Sequence, residues 1–326
     1  MERKASRELK SITPVLIVAF NRPKHLKILI DSLRETQHQI IRISIDGPRD
    51  GNLDDQTKIR ECLEYVNEIN WTTNIKIYQN RANLKPRFAI PNAVNAVLNE
   101  FEKIIVFEDD VEINMNTIEY FEWCLNKYKY NLQIGHISGY SNAPFDEFPK
   151  FEESHRLSIF PESYAWATWS NRWKLYEDNV NSINLKKLFK ENESYFSNVG
   201  KFGKVSWSLE KSNTSQNYIS TWAYRWMFTL WKYQIYSVSP NINLVKYNGH
   251  SEGTHVRTKQ RWKEIVPGNS RQLNMTDSLR IIPEVEKWSS VNVYRDNFID
   301  TIKLLVISFI FRLFPKIRKI LSMIKS

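Results

Sequence analysis

An α/β fold built on a largely parallel sheet, with helices on both faces, is what this sequence predicts, and three observations predict it. Strand-length apolar runs alternate with helix-length segments through the first 140 residues. The clearest run, Ile-Ile-Val-Phe at 104–107, is apolar at every position, as a strand buried on both faces must be. With 326 residues, 42% hydrophobic and 25% charged, the chain can bury a sizeable core without disulfides or a structural metal.

The elements follow in order. Val15–Phe20 reads as the first strand, and Asn21-Arg22-Pro23 opens a helix over Pro23–Glu35, proline being pre-set for a first helical turn. Ile40–Asp46 is a second strand, ended by the turn-rich Asp46-Gly47-Pro48-Arg49-Asp50-Gly51. Further strands are expected at Ile75–Gln79, Ile104–Phe107 and Ile134–Ser138, with helices near Asp54–Ile69, Ile90–Phe101 and Thr117–Tyr128. From 141 to about 290 the pattern is less regular and much more aromatic, densest at Pro161–Trp169 and Trp222–Trp226. The Trp166/Trp169 and Trp222/Trp226 spacings suit one helix face and a place in the core; aromatic platforms of this kind also stack on sugar rings. Neither a GxGxxG nor a GxxxxGK[ST] motif is present, which removes support for dinucleotide-binding and P-loop readings.

Chemistry concentrates at the end of the fourth strand, where Glu108, Asp109 and Asp110 are adjacent. Three neighbouring carboxylates repel one another unless a cation or a donor-rich ligand compensates them. Ligands of open α/β sheets bind at the carboxyl ends of strands. A divalent metal with a nucleoside diphosphate is the natural load, since hard cations take oxygen ligands and bridge to phosphates. The same acids also suit an exposed turn or a helix start.

Charge is unevenly spread. Of the net +10, residues 301–326 supply Lys303, Arg312, Lys316, Arg318, Lys319 and Lys325 and no acid, so +6 lies there and 10 − 6 = +4 on the rest. Basic residues gathered on one terminal segment do not make a nucleic-acid-binding face. Ile302–Phe314 is strongly apolar but shorter than the ~20 residues a membrane-spanning helix needs. A basic amphipathic helix lying on an anionic membrane surface fits better, the alternative being a terminal helix docked on the protein's own core. Cys62 and Cys124 show no metal-site or CxxC spacing and read as inert thiols of a reducing compartment. Met1–Ser11 is polar and carries no signal-peptide pattern, so a cytoplasmic protein, peripheral on the inner face of the plasma membrane, is expected.

Taken together, Ala19-Phe20-Asn21-Arg22-Pro23, Ile45-Asp46-Gly47, an Arg81–Arg87 loop before a helix, Phe107-Glu108-Asp109-Asp110-Val111, Ile137–Asn142, Phe160-Pro161 and Trp166 resemble, in that order, GT-A-fold glycosyltransferases. The likeness is to the N-acetylglucosaminyltransferase I family and bacterial family-2-like relatives, over about residues 13–255. It implies a nucleotide-sugar-binding half at 12–145 and an acceptor-binding half of the same domain at 146–290; the charge pattern adds a membrane-associating helix at 291–326. It further implies a metal-dependent transfer, inverting in outcome, from a UDP-sugar to a glycan hydroxyl; the basic tail and the absent signal-peptide pattern add the expectation of lipid-linked acceptors in bacterial surface polysaccharide synthesis. Within it, Arg22 contacts the nucleotide, Asp46 reads the uracil edge, and Arg87 lies near a basic donor-binding position. Glu108 faces the transferred sugar, Asp109 the ribose, and Asp110 a Mn²⁺ or Mg²⁺ ion, with His255 completing the metal or diphosphate site. Trp166 and Trp222 fall in the acceptor cleft.

The sequence departs from the family where a catalytic aspartate is expected. Ser220–Arg225 holds no carboxylate, although an inverting transfer needs a base within reach of the acceptor hydroxyl. Glu162 and Glu252 are the nearest substitutes. Two other readings stand beside the transferase: a non-catalytic glycan-binding or scaffold protein that kept the fold, and a sugar nucleotidyltransferase, for which the Gly-rich basic loop after the first strand is missing.

Overall fold

A computed structural model describes residues 13–143, 148, 153–217, 219–249, 275–294 and 296–313. Its first half is a regular alternation: β1 (Val15–Ala19), α1 (Pro23–Thr36), β2 (Ile41–Ile45), α2 (Leu53–Asn67), β3 (Ile75–Gln79), α3 (Lys85–Leu98), β4 (Lys103–Glu108), β5 (Val111–Glu112), α4 (Met115–Lys127) and β6 (Ile134–Ser138). The second half is β7 (His155–Ser158), β8 (Ala165–Trp169), α5 (Ser170–Trp173), a 3₁₀ turn at Val180–Ser182, α6 (Leu185–Glu191), α7 (Lys201–Ser215), α8 (Trp222–Lys232), β9 (Tyr236–Pro240), β10 (Lys246–Tyr247), α9 (Pro283–Asn292) and α10 (Phe298–Leu313).

One eight-stranded sheet, in the order β3-β2-β1-β4-β8-β6-β9-β7, takes strands from both halves of the chain. The pairs β1–β2, β1–β4, β2–β3 and β6–β9 are parallel, whereas β8 runs antiparallel between β4 and β6, and β7 antiparallel beside β9. The parallel character expected from the sequence therefore holds for the first four strands and gives way to a mixed sheet beyond β4. Short β5 and β10 form a separate antiparallel pair.

Alternation of side chains across each strand explains the continuous apolar runs. Val15, Ile17, Ile43, Ile105 and Phe107 join a core with residues of α1, α2 and α4 on one face. Leu16, Val18, Ile104 and Val106 join another with α3 and α8 on the other. A third aromatic cluster, including Phe160, Phe196, Trp207 and Trp231, fills the space among α6, α7 and α8. Trp166 and Trp169 lie on β8, not on a helix, so their three-residue spacing sends them to opposite faces: Trp169 to the first core and Trp166 to the second.

The helices start as their local chemistry dictates. Asn52 accepts from the Asp55 N–H at the start of α2, and Asn114 with Thr117 forms a reciprocal capping box on α4. Pro23 stands at the first turn of α1, where its missing N–H costs nothing. α3 begins at Lys85, five residues earlier than the expected Ile90, because Pro86 lies in its first turn and Pro91 is carried inside it. No helix among the described residues is long and apolar enough to cross a membrane.

Candidate active site

Strand polarity brings the chemically distinctive residues to one edge of the sheet. The carboxyl ends of β1, β2, β4, β6 and β9 share that edge with the amino ends of β7 and β8. Arg22 follows β1, Asp46 follows β2, and the acidic triplet closes β4. Glu162 and Tyr164 precede β8, Ser141 and Asn142 follow β6, and Asn241 follows β9.

The triplet carries its own counter-ion. Arg22 bonds Asp109 through Nη2 and Asp110 Oδ2 through Nη1, the latter at 2.7 Å. The compensation asked for by three adjacent acids is thus partly internal. Burial works against the Arg22 charge, but Asp109 and Asp110 outweigh it and hold the guanidinium's pKa above its ordinary value. Burial raises the Asp109 carboxyl to about 6 against the pull of Arg22, with Asp110 adding to the rise. Half-buried Glu108 is raised well above the usual carboxylate range, first by burial and then by Asp110. One oxygen is left over: Asp110 Oδ1 is buried and has no hydrogen-bond partner among the described residues. An orphaned buried carboxylate oxygen is costly and calls for a ligand.

The backbone comes close beside it. Asn248 donates to the Asp110 carbonyl at 2.7 Å, and β10 pairs with β5 to bring Asn248 and Gly249 against the triplet. A Cβ on Gly249 would meet the Tyr247 hydroxyl and come within 2.8 Å of Asp110 Oδ2, so glycine allows this close approach. A carboxylate oxygen without a described partner, next to an arginine, suits Mn²⁺ or Mg²⁺ held by Asp110 and by phosphate oxygens of a ligand. No group of three or more His, Cys, Asp or Glu side chains among the described residues would close around a metal on its own.

Asp46 is engaged by donors of the protein itself. Its Oδ1 accepts from the Gly47 and Leu84 N–H groups and from Asn80 Nδ2, and its Oδ2 from the Leu84 and Lys85 N–H groups, at 2.9–3.2 Å. These donors occupy the lone-pair positions of a carboxylate, so none is open to a uracil N–H in this arrangement. The carboxylate ties the β2 end to the start of α3, where Lys85 is held at a left-handed φ of 62°. Gly47 permits the contact, since a Cβ there would sit 2.5 Å from the Ala82 backbone. Beyond this junction lies a cleft of about 340 Å³ lined by Pro48, Arg49, Asp50, Gln56, Arg81 and Asn83.

Three further expected site residues are engaged elsewhere in this structure. Arg87 is not brought to the triplet: its guanidinium makes a bidentate pair with Asp178 at 2.7 and 2.9 Å and also bonds Asn217. Trp166 and Trp222 are 0% and 2% exposed and stack on each other at 5.0 Å, so their faces are spent in the core and none is open to a sugar. Partly exposed Tyr164 and Tyr247 are the rings at the edge, 4.5 Å apart at their centroids. Glu252 and His255 lie outside the described residues.

Glu162 is brought to the same edge, buried, with its N–H on Ser138 Oγ at 3.0 Å. Burial pushes its carboxyl up to about 7, while hydrogen bonds with Asn142 and Tyr294 and the charge of Arg156 pull it down, and Glu286 pushes it up. Tyr164 links this group to the triplet, its carbonyl accepting from the Glu108 N–H at 3.1 Å. Sequence reasoning missed Asn142, Arg156, Glu286 and Tyr294. The last two sit more than 120 residues from Glu162 on and after α9, and nothing local marks them.

No family model and no curated protein matches the sequence. Among solved structures, the chain overlaps mouse xyloside xylosyltransferase 1 in its apo form at 12% identity and TM-score 0.37, over 69% of this chain and 84% of that one. It overlaps mannosyltransferase PcManGT from Pyrobaculum calidifontis, solved with GDP-Man and Mn²⁺, at 10% identity and TM-score 0.35, over 99% and 90%. A third overlap is with the bifunctional glycosyltransferase WbbM in its apo form, at 9% identity and TM-score 0.31, over 70% of this chain and 39% of that one. All three TM-scores lie below 0.5, and overlaps this loose carry no argument about the chemistry of this chain.

Proposed function

We propose that this chain is a metal-dependent glycosyltransferase that moves a sugar from a UDP-linked donor to a hydroxyl of a glycan or lipid-linked acceptor, in surface polysaccharide synthesis. The observation that carries the proposal is the buried Asp110 Oδ1, without a hydrogen-bond partner among the described residues, beside Arg22 at the carboxyl edge of the sheet. Asp110 would hold Mn²⁺ or Mg²⁺, and the ion, when bound with the donor, supplies Lewis-acid neutralisation of the departing diphosphate.

The remaining work falls to the protein's own groups. Arg22 is within reach of both acids and of any phosphate that enters between them. Asp109 lies on the ribose side and Glu108, whose pKa is raised by burial and by Asp110, faces the sugar. The cleft beyond the Asp46 junction takes the nucleobase side of the donor, with Arg49 and Arg81 in its wall. Tyr164 and Tyr247 offer the acceptor an aromatic surface at the edge. Glu162 takes the acceptor hydroxyl proton as the new C1–O bond forms and the bond to the diphosphate breaks; a carboxyl near neutrality is matched to that task.

Calorimetry with UDP in the presence and absence of Mn²⁺ tests the donor site directly. Metal-dependent UDP binding, lost in Asp110→Asn with the fold intact, is the expected result, and no UDP binding under either condition removes the transferase. A panel of nucleotide sugars with glycan acceptors then identifies the donor. Tight binding without transfer or donor hydrolysis across that panel would favour a glycan-binding scaffold instead.

A further inference from the structure

Helix α10 is docked with its polarity reversed. Residues 301, 304 and 308 fall on one face, and Thr301, Leu304 and Ser308 are buried there against α7. Two polar pairs form the seam: Thr301 Oγ1 lies 2.7 Å from Ser206 Oγ, and Asn213 Nδ2 donates to Ser308 Oγ at 3.1 Å. The opposite side presents Ile299, Val306 and Phe309 at 65%, 52% and 62% exposure, together with Phe298, Ile302, Leu305 and Ile307. A terminal helix bathed in water turns its hydroxyls outward and its aliphatics inward. Polar seams between helices whose other side is apolar are the arrangement used where the surroundings are not water.

The charge of the neighbouring residues selects the surroundings. Lys201 packs over Phe202 of α7, which meets Phe298 edge-on at 5.7 Å, whereas exposed Lys303 of α10 is paired with Asp300 at 3.1 Å and adds no net charge. Residues 314–326 of the sequence add Lys316, Arg318, Lys319 and Lys325 without an acid. A second copy of this chain would meet that segment with another set of cations, whereas anionic headgroups compensate it. The 16 residues of α10 extend about 24 Å, too short to span a bilayer and suited to lying along one.

We propose that the outward face of α10 inserts into the headgroup region of an anionic lipid bilayer, with the cations of residues 316–325 drawing it to the surface. The proposal is independent of the donor-site reading, because lipid binding is measured without donor or metal.

Flotation of the full chain with vesicles of phosphatidylcholine alone, and of phosphatidylcholine mixed with phosphatidylglycerol, tests it. Salt-sensitive binding to the mixed vesicles is expected. It should fall about ten-fold or more in Ile299→Asp/Val306→Asp, which loses inserted apolar area, and in Lys316→Glu/Lys319→Glu, which loses charge attraction. Near-UV circular dichroism should be unchanged in both, which separates loss of binding from loss of fold; Ile299 and Val306 are exposed. Equal flotation of wild type and variants, or none with the mixed vesicles, overturns the proposal. So does a dimer in sedimentation velocity that Ile299→Asp/Val306→Asp converts to monomer without any vesicle binding.

Discussion

Two carboxyl-rich neighbourhoods share the functional edge, and they are electrostatically unlike. Around Asp109 and Asp110, among the described residues, Arg22 answers two acids and one buried oxygen is left without a partner. Around Glu162 a buried carboxyl is fully engaged by Asn142 and Tyr294 and held near neutrality by desolvation. Under the proposed function, the first environment, short of positive charge, would accept a cation or a cation-bound diphosphate, and the second, short of water, would exchange a proton. Charge binding and proton transfer would then be kept apart on one sheet, with Tyr164 between them.

The largest effect should come from the proton-exchanging side. Glu162→Gln keeps size and hydrogen-bonding capacity but cannot take a proton, so kcat should fall by about 10²–10⁴ with little change in donor affinity. The wild-type rate should rise with pH through about 7, as Glu162 loses its proton, and that limb should vanish from the residual activity. The same group links stability to pH. Its folded-state pKa of about 7 lies above the ordinary 4.5, so the folded protein holds the proton more tightly than the unfolded chain. Its contribution is complete below the ordinary value and is lost as pH rises through about 7, a loss on the order of 3 kcal/mol. Chemical denaturation of wild type and Glu162→Gln across this window reads it: the variant should lack the decline. A Glu162→Gln enzyme with normal kcat would erase the contrast between the two neighbourhoods.

On the charge-binding side, Asp110→Asn should weaken metal-dependent UDP binding about a hundred-fold, because an amide oxygen is a poorer ligand for a hard cation. Titration calorimetry with and without Mn²⁺ measures it; equal loss in both conditions would mean that Asp110 serves the nucleotide and not a metal. Arg22→Met tests the pairing from the other partner. Removing the cation leaves Asp109 and Asp110 to repel each other in a buried site, a cost of about 3 kcal/mol in urea denaturation. The double variant Arg22→Met/Asp109→Asn should recover part of it, and failure to do so would show that the pair does not act as a unit.

Legibility in the sequence followed periodicity and contact range. Apart from β5 and the start of α3, the elements from β1 to β6 were readable within a few residues, because β1 and β4 are apolar at nearly every position and the helices between the strands carry local start signals. The triplet and Arg22 were readable because each sits at the end of such a strand. Trp166 and Trp169 misled because three-residue spacing is one helix face but two sheet faces when a strand is covered on both sides. Arg87 and Asp178 are 91 residues apart, and the partners of Glu162 reach it from β6, β7 and the region of α9, so no local pattern could pair them. For α10 the sequence showed how apolar the segment is, whereas the direction of its apolar side appears only once Ser206 and Asn213 are seen opposite Thr301 and Ser308.

The smallest effect concerns Asp46, which stands beside the first neighbourhood and belongs chemically to neither. Its carboxylate serves the backbone, accepting from Leu84 and Lys85 and holding Lys85 in a left-handed conformation that a lysine pays for. Asp46→Asn replaces one accepting oxygen with an amide that faces donors, so stability should fall by about 1–2 kcal/mol. Lys85→Gly removes the steric cost and should restore roughly 1 kcal/mol of it in the double variant. If Asp46 acts only through this junction, Asp46→Asn/Lys85→Gly should regain stability and UDP affinity together. Were stability regained while UDP affinity stayed low, the carboxylate would have to leave its backbone donors and meet the base itself, and the donor site would extend from the charge-compensated acids across the end of β2.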